Sequence, residues 1–70
     1  MKIYQAQYKY IHQIEPENKV LGYFKSKESA VKTITNKYGL NEVEKINLFN
    51  NLYHSEGNSS YYINELLLED

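Results

Sequence analysis

Seventy residues with eight lysines, nine acidic residues, no cysteine and a formal net charge of −1 leave room for one domain with one thin core. A chain this short buries only about 60% of its unfolded surface, and without cysteine it has neither disulfides nor cysteine-based zinc sites to staple it. No run approaches the roughly 20 apolar residues of a membrane span, and Met1–Gln7 has no apolar leader-like stretch, so the expected location is the cytoplasm.

In chain order, residues 3–14 read as a long first strand. Tyr4, Ala6, Tyr8, Tyr10, His12 and Ile14 fall on one face; Gln5, Gln7, Lys9 and Gln13 fall on the other with Ile3 and Ile11. That alternation makes the tyrosine face the better candidate for burial. Glu15-Pro16-Glu17-Asn18 is the expected turn, because proline presets a turn's φ, and Lys19 to Phe24 is the second strand of a hairpin. Ser26 then stands as an N-cap, with Glu28 in the first turn. Ala30, Val31, Ile34 and Tyr38 make an apolar stripe and Gly39 a stop, which predicts a helix over 27–38. Asn41 with Glu44 three residues on resembles a capping box. Val43, Ile46, Phe49, Leu52 and Tyr53 continue at intervals of three or four, predicting a second helix over 42–54. Residues 55–59 are a predicted loop and 60–68 a last strand.

Together these elements predict an α+β fold, β-β-α-α-β, as one domain over residues 1–70. The expected sheet is three-stranded and mainly antiparallel in the order 2-1-3, with the first strand central and the helices packed against it.

The segment Leu21-Gly22-Tyr23-Phe24-Lys25-Ser26-Lys27-Glu28-Ser29-Ala30, followed by a helix and later by Tyr61-Tyr62-Ile63-Asn64-Glu65-Leu66, resembles a pattern in small uncharacterised bacterial and phage domains. Those domains carry a GxFxSxEEA-like strand-to-helix junction and a YxIxEL-like last strand. The resemblance spans about half of the chain and implies the order of elements, with no activity and no catalytic residue. The arginine-free, Lys/Asn/Ile/Tyr-rich usage also suits an AT-rich genome, such as that of a low-GC bacterium or one of its mobile elements.

No catalytic constellation is legible. His54-Ser55-Glu56 holds the H-x-E half of a zinc deaminase signature, but the paired cysteines of the other half are missing. A metal site from His12, His54 and Glu56 requires the fold to bring them together; the plainer reading puts one histidine at a strand end and the other at a helix C-terminus, where the dipole favours it. The carboxylate pairs Glu15/Glu17, Glu42/Glu44 and Glu69/Asp70 belong to a turn, a helix start and the terminus, which are solvated places. The serines lack a nucleophile elbow, and the three glycines form no phosphate cradle. The expectation is therefore a non-enzymatic protein with no cofactor, no metal and no evident small-molecule ligand.

The surplus of apolar side chains carries more information. The second and last strands are apolar on both faces, which marks strands covered on both sides. Either the second helix covers the face opposite the first, or that face is free for a protein partner or a second copy of the chain. On the second reading the contact residues are Ile3, Ile11, Leu21, Tyr23, Tyr62, Leu66 and Leu68, with tyrosine giving large contact area at low entropic cost. Such a module would act by occluding or bridging a host protein. The alternative is a single-stranded nucleic-acid accessory protein using tyrosines with the series Lys25, Lys27, Lys32 and Lys37, although the absence of arginine disfavours nucleic acid as a partner.

Overall fold

The computed structural model describes residues 1–11 and 14–68. The chain runs β1 (Lys2–Tyr10), β2 (Glu17–Phe24), α1 (Lys27–Tyr38), α2 (Glu42–Asn51), β3 (Tyr53–Glu56) and β4 (Ser59–Leu67). The α+β class of the sequence reading stands, but the sheet has four antiparallel strands in the order β2-β1-β4-β3 where three were expected. Among the described residues, no helix is long and apolar enough to cross a membrane. β1 ends at Tyr10, short of the predicted 14. Ile14 is exposed in the connection that follows, and His12 and Gln13 lie outside the described residues.

α1 forms where its caps place it. Ser26 is extended, its Oγ accepts the Ser29 backbone N–H at 3.2 Å, and Gly39 closes the helix at φ 66° with its N–H on the Thr35 carbonyl at 2.8 Å. A left-handed residue after a helix is glycine's natural place, since it has no Cβ to clash. α2 opens on a true capping box. The Asn41 side chain accepts the Glu44 N–H at 2.8 Å, and Glu44 Oε1 accepts the Asn41 N–H at 2.9 Å.

α2 stops three residues before the predicted end, because Leu52 takes the left-handed position at φ 60°. That conformation costs an L-residue on the order of 1–2 kcal/mol. The Leu52 side chain packs against the core, which offsets the cost, and the Leu52 carbonyl accepts the Ile63 N–H at 2.9 Å. The chain is thereby turned out of the helix and alongside β4, and Tyr53–Glu56 becomes an edge strand instead of a helix end and loop.

The core is a single cluster of Ala6, Ala30, Val31, Ile34, Leu48, Tyr61 and Ile63. Side chains from both helices meet the same face of β1 and β4 there, so α1 and α2 lie on one side of the sheet. Full burial of side chains such as Ile34, Leu48 and Val31 stabilises by about 1.5–3 kcal/mol apiece. Tyr8, Tyr38 and Tyr61 close one end of this layer, with ring centroids 4.4, 5.5 and 5.3 Å apart. The Tyr8 hydroxyl lies 3.1 Å from Ser59 Oγ, giving the phenol a polar partner inside the apolar cluster. Burial pushes the Tyr38 and Tyr61 hydroxyls above the ordinary phenol range.

One irregularity decides which β2 side chains join the core. Ala6 pairs with Gly22 and Gln7 with Val20, so Leu21 is the extra residue of a β-bulge. A bulge resets the alternation of faces. Leu21 and Phe24 pack against the helix-side core, while Val20 and Tyr23, paired with Gln7 and Gln5, stand on the opposite face. At Gly22, φ is 155° and an added Cβ would lie 3.1 Å from the Phe24 ring, so the bulge takes glycine for both conformation and space.

Candidate functional site

With both helices on one side, nothing in the described chain covers the other side of the sheet. The alternation of β1 and β4 puts Ile3, Gln5, Gln7 and Lys9 there, paired in register with Leu66, Asn64, Tyr62 and Ser60. Tyr53 joins them opposite Tyr62. Met1 and Leu68 are tied together at one end by hydrogen bonds of 2.7 and 2.8 Å.

This uncovered face has three zones. The Met1/Leu68 end is apolar, with Ile3 directly opposite Leu66 and with Met1 and Leu68 exposed. A belt of amides crosses the centre. Asn64 Nδ2 donates to Gln5 Oε1 at 3.0 Å and to Gln7 Oε1 at 3.2 Å, and Gln5 Nε2 donates to the Tyr23 hydroxyl at 3.1 Å. Beyond the belt is an aromatic zone where the Tyr53 and Tyr62 rings lie 4.9 Å apart and the Lys9 ammonium stands 5.9 Å from the Tyr62 ring. Hydrogen bonding to Ser55, and then to Ser60 and Tyr62, holds the Tyr53 hydroxyl below its usual range. Tyr23 is 61% exposed and Val20 46%, well above what a folded chain leaves of residues it needs for its core.

Of the contact residues expected from sequence, Ile3, Tyr23, Tyr62, Leu66 and Leu68 share this face. Ile11 lies past the end of β1, exposed, with its N–H on the Asn58 carbonyl at 2.8 Å. Leu21 is a correction: the bulge turns it into the helix-side core. Val20 and Tyr53 are additions that a regular alternation and a longer helix conceal. Two lysines of the nucleic-acid reading, Lys27 and Lys32, are separated from these tyrosines. Lys32 lines a groove of about 480 Å³ between the helices, with Glu28, Thr35, Asn36, Lys45 and Phe49. The Lys27 ammonium lies over the Phe49 ring at 4.1 Å. Both belong to the helix layer, on the far side of the sheet from Tyr23, Tyr53 and Tyr62.

The fold also brings together two residues of the discounted metal set, with a different third member. His54 and Glu56 point to the same side of β3 and meet Glu44 from the first turn of α2, all three ligand atoms lying within 4.8 Å of one another. His54 Nε2 is 3.3 Å from Glu44 Oε2. The Asn41 backbone N–H holds the Glu44 carboxyl below its usual range, whereas hydrogen bonding to Glu44 and the charge of that carboxylate hold Glu56 above it. No family model matches this chain, and neither does any curated protein or solved structure.

Proposed function

We propose that the chain is a small non-enzymatic binding module that presents the uncovered face of its sheet to another protein surface, that of a partner or of a second copy, and acts by occluding or bridging it. The supporting observation is that both helices share one face, leaving Met1, Ile3, Val20, Tyr23, Tyr53, Tyr62, Leu66 and Leu68 on the other. Exposed tyrosines around a small apolar patch, with amides to satisfy a partner's polar groups, have the composition of an interface. The face spans two nine-residue strands and their neighbours, an area on the order of 500 Å² from ordinary strand spacings. A standard interface buries about 800 Å² per partner, so this face alone suits a transient complex, and the outer edge of β2, unpaired among the described residues, is the natural place for it to extend.

Sedimentation velocity tests the reading, on the purified protein and on labelled protein added to lysate of its own cell. The expected result is a faster-sedimenting species that disappears in the double variant Tyr23→Lys/Leu68→Lys, whose positions are exposed enough to spare the fold. A monomer in both settings, or a complex indifferent to both substitutions, contradicts it.

A second reading has one observation in its favour. Tyr53, Tyr62 and Lys9 form an aromatic pair beside a cation, the elements of a stacking platform for single-stranded nucleic acid. Lys9 is the one lysine that the β1 and β4 pairing places on that face, so the electrostatic contribution is small. Anisotropy of a labelled oligothymidine separates the two: this second reading requires binding that weakens with salt and with Tyr62→Ser.

A further inference from the structure

The Glu44/His54/Glu56 cluster lies on the helix side of the sheet, away from the uncovered face, and the stability of the fold does not account for it. A capping box needs Glu44 alone. Placing Glu56 beside it brings two carboxylates together, and among the described residues no lysine forms an ion pair with either. Like charges at this separation repel, and the fold holds them together by three separate devices. The first turn of α2 fixes Glu44, because the Asn41 N–H occupies Oε1 and leaves Oε2 facing His54. The period-two alternation of β3 puts His54 and Glu56 on one side. The His54 ring lies parallel to the Tyr61 ring, 6.3 Å away with 8° between planes, which orients the imidazole.

We propose that Glu44, His54 and Glu56 form a binding site for a divalent transition-metal ion, with Zn²⁺ as its first occupant. Zinc takes imidazole nitrogen and carboxylate oxygen at about 2.0–2.2 Å, so neighbouring donors in a tetrahedral site lie roughly 3.3–3.6 Å apart. The His54–Glu44 pair already has that spacing at 3.3 Å, and the whole set lies within 4.8 Å, so closure needs only small side-chain movements. One imidazole among two carboxylates favours zinc, cobalt or manganese over the all-oxygen preference of magnesium and calcium. His54 Nε2 must be unprotonated to coordinate, and the bound dication offsets the repulsion between the two carboxylates. Three protein donors leave a fourth position for water or for a group from a partner. The proposal is independent of the reading of the uncovered face.

Isothermal titration of the chelator-stripped full chain with Zn²⁺, alongside the imidazole resonances of His54, tests it. The expected result is one ion per chain, a shift of the His54 ring signals, a rise in melting temperature with Zn²⁺, and no displacement by magnesium. Glu56→Gln and His54→Ala should each weaken binding by about tenfold or more, while His12→Ala leaves it unchanged. Glu56 is exposed, and Glu56→Gln removes the repulsion. The stripped variant should therefore melt no lower than the stripped native chain, which separates a lost ligand from a lost fold. Absence of binding at millimolar Zn²⁺, binding that survives both substitutions, or binding that disappears with His12→Ala would overturn the proposal.

Discussion

The position of α2 on the same side of the sheet as α1 is the fact on which the uncovered face depends, and a double-mutant cycle between the helices tests it. Leu48 of α2 and Ile34 of α1 are both fully buried in one cluster. Truncating Leu48 to alanine removes buried methyl groups and leaves a cavity, a cost of about 2–5 kcal/mol; Ile34→Val costs about 0.5–1.5 kcal/mol. A domain of this size holds on the order of 4–10 kcal/mol in total, so Leu48→Ala should forfeit a large part of the stability and the valine variant a small one. Residues that share a cavity couple by about 0.5 kcal/mol or more, whereas distant sites add to within about 0.3–0.5 kcal/mol. Urea unfolding of the native chain, both single variants and the double, followed by far-ultraviolet circular dichroism, provides the four free energies. The expected result is non-additivity above that threshold, because the space left by Leu48 lets the Ile34 neighbourhood relax. Strict additivity, or a Leu48→Ala cost below about 1 kcal/mol, would mean that the helices do not share a core, and the uncovered face would lose its basis.

Three further outcomes follow from the same geometry. Gly22→Ala places a methyl group 3.1 Å from the Phe24 ring at a positive φ, and should destabilise by about 1–3 kcal/mol in the same urea assay; a neutral result would place the bulge elsewhere. Glu44 has its carboxyl lowered by the Asn41 N–H, so its contribution is present above the unfolded carboxylate pKa and is lost as pH falls through the lower folded value. Urea midpoints in acid should therefore fall less steeply for Glu44→Gln than for the native chain, from a lower starting point at neutral pH. Tyr38 and Tyr61 have hydroxyls raised by burial, so their contribution is present below the unfolded phenol pKa and is lost as pH rises through the folded values. Ultraviolet titration should show two late-ionising tyrosines that become ordinary in urea, and their absence would remove them from the core.

Where the chain obeys local rules, the fold is legible in its sequence. Ser26, the 30/31/34/38 stripe and Gly39 delimit α1, and Asn41 with Glu44 opens α2. The end of α2 is hidden because a leucine, not a glycine, occupies the left-handed position. Phe49, Leu52 and Tyr53 keep a helical spacing across that break, so tertiary packing of Leu52 overrides the local signal. The fourth strand is lost with it, since four residues at a sheet edge carry no pattern of their own. The open face was half legible: alternation identifies Ile3, Tyr62, Leu66 and Leu68, while the bulge at Leu21, flagged only by Gly22, exchanges Leu21 for Val20. The Glu44/His54/Glu56 cluster was obscured for the same reason as β3. Once Tyr53–Glu56 is read as a strand, His54 and Glu56 share a side, but nothing in the sequence places Glu44, ten residues away from His54, against them.

Whether the uncovered face is the binding surface can be read by site-specific photocrosslinking, with a benzophenone side chain placed in separate variants at Tyr62 on the uncovered face and at Lys32 on the helix layer, each expressed in the cell the chain comes from. The expected result is a discrete adduct from position 62, of either a partner's mass or twice the chain's own, that is abolished by Tyr23→Lys/Leu68→Lys, and none from position 32. Adducts from position 32 alone, or from neither position, would contradict it.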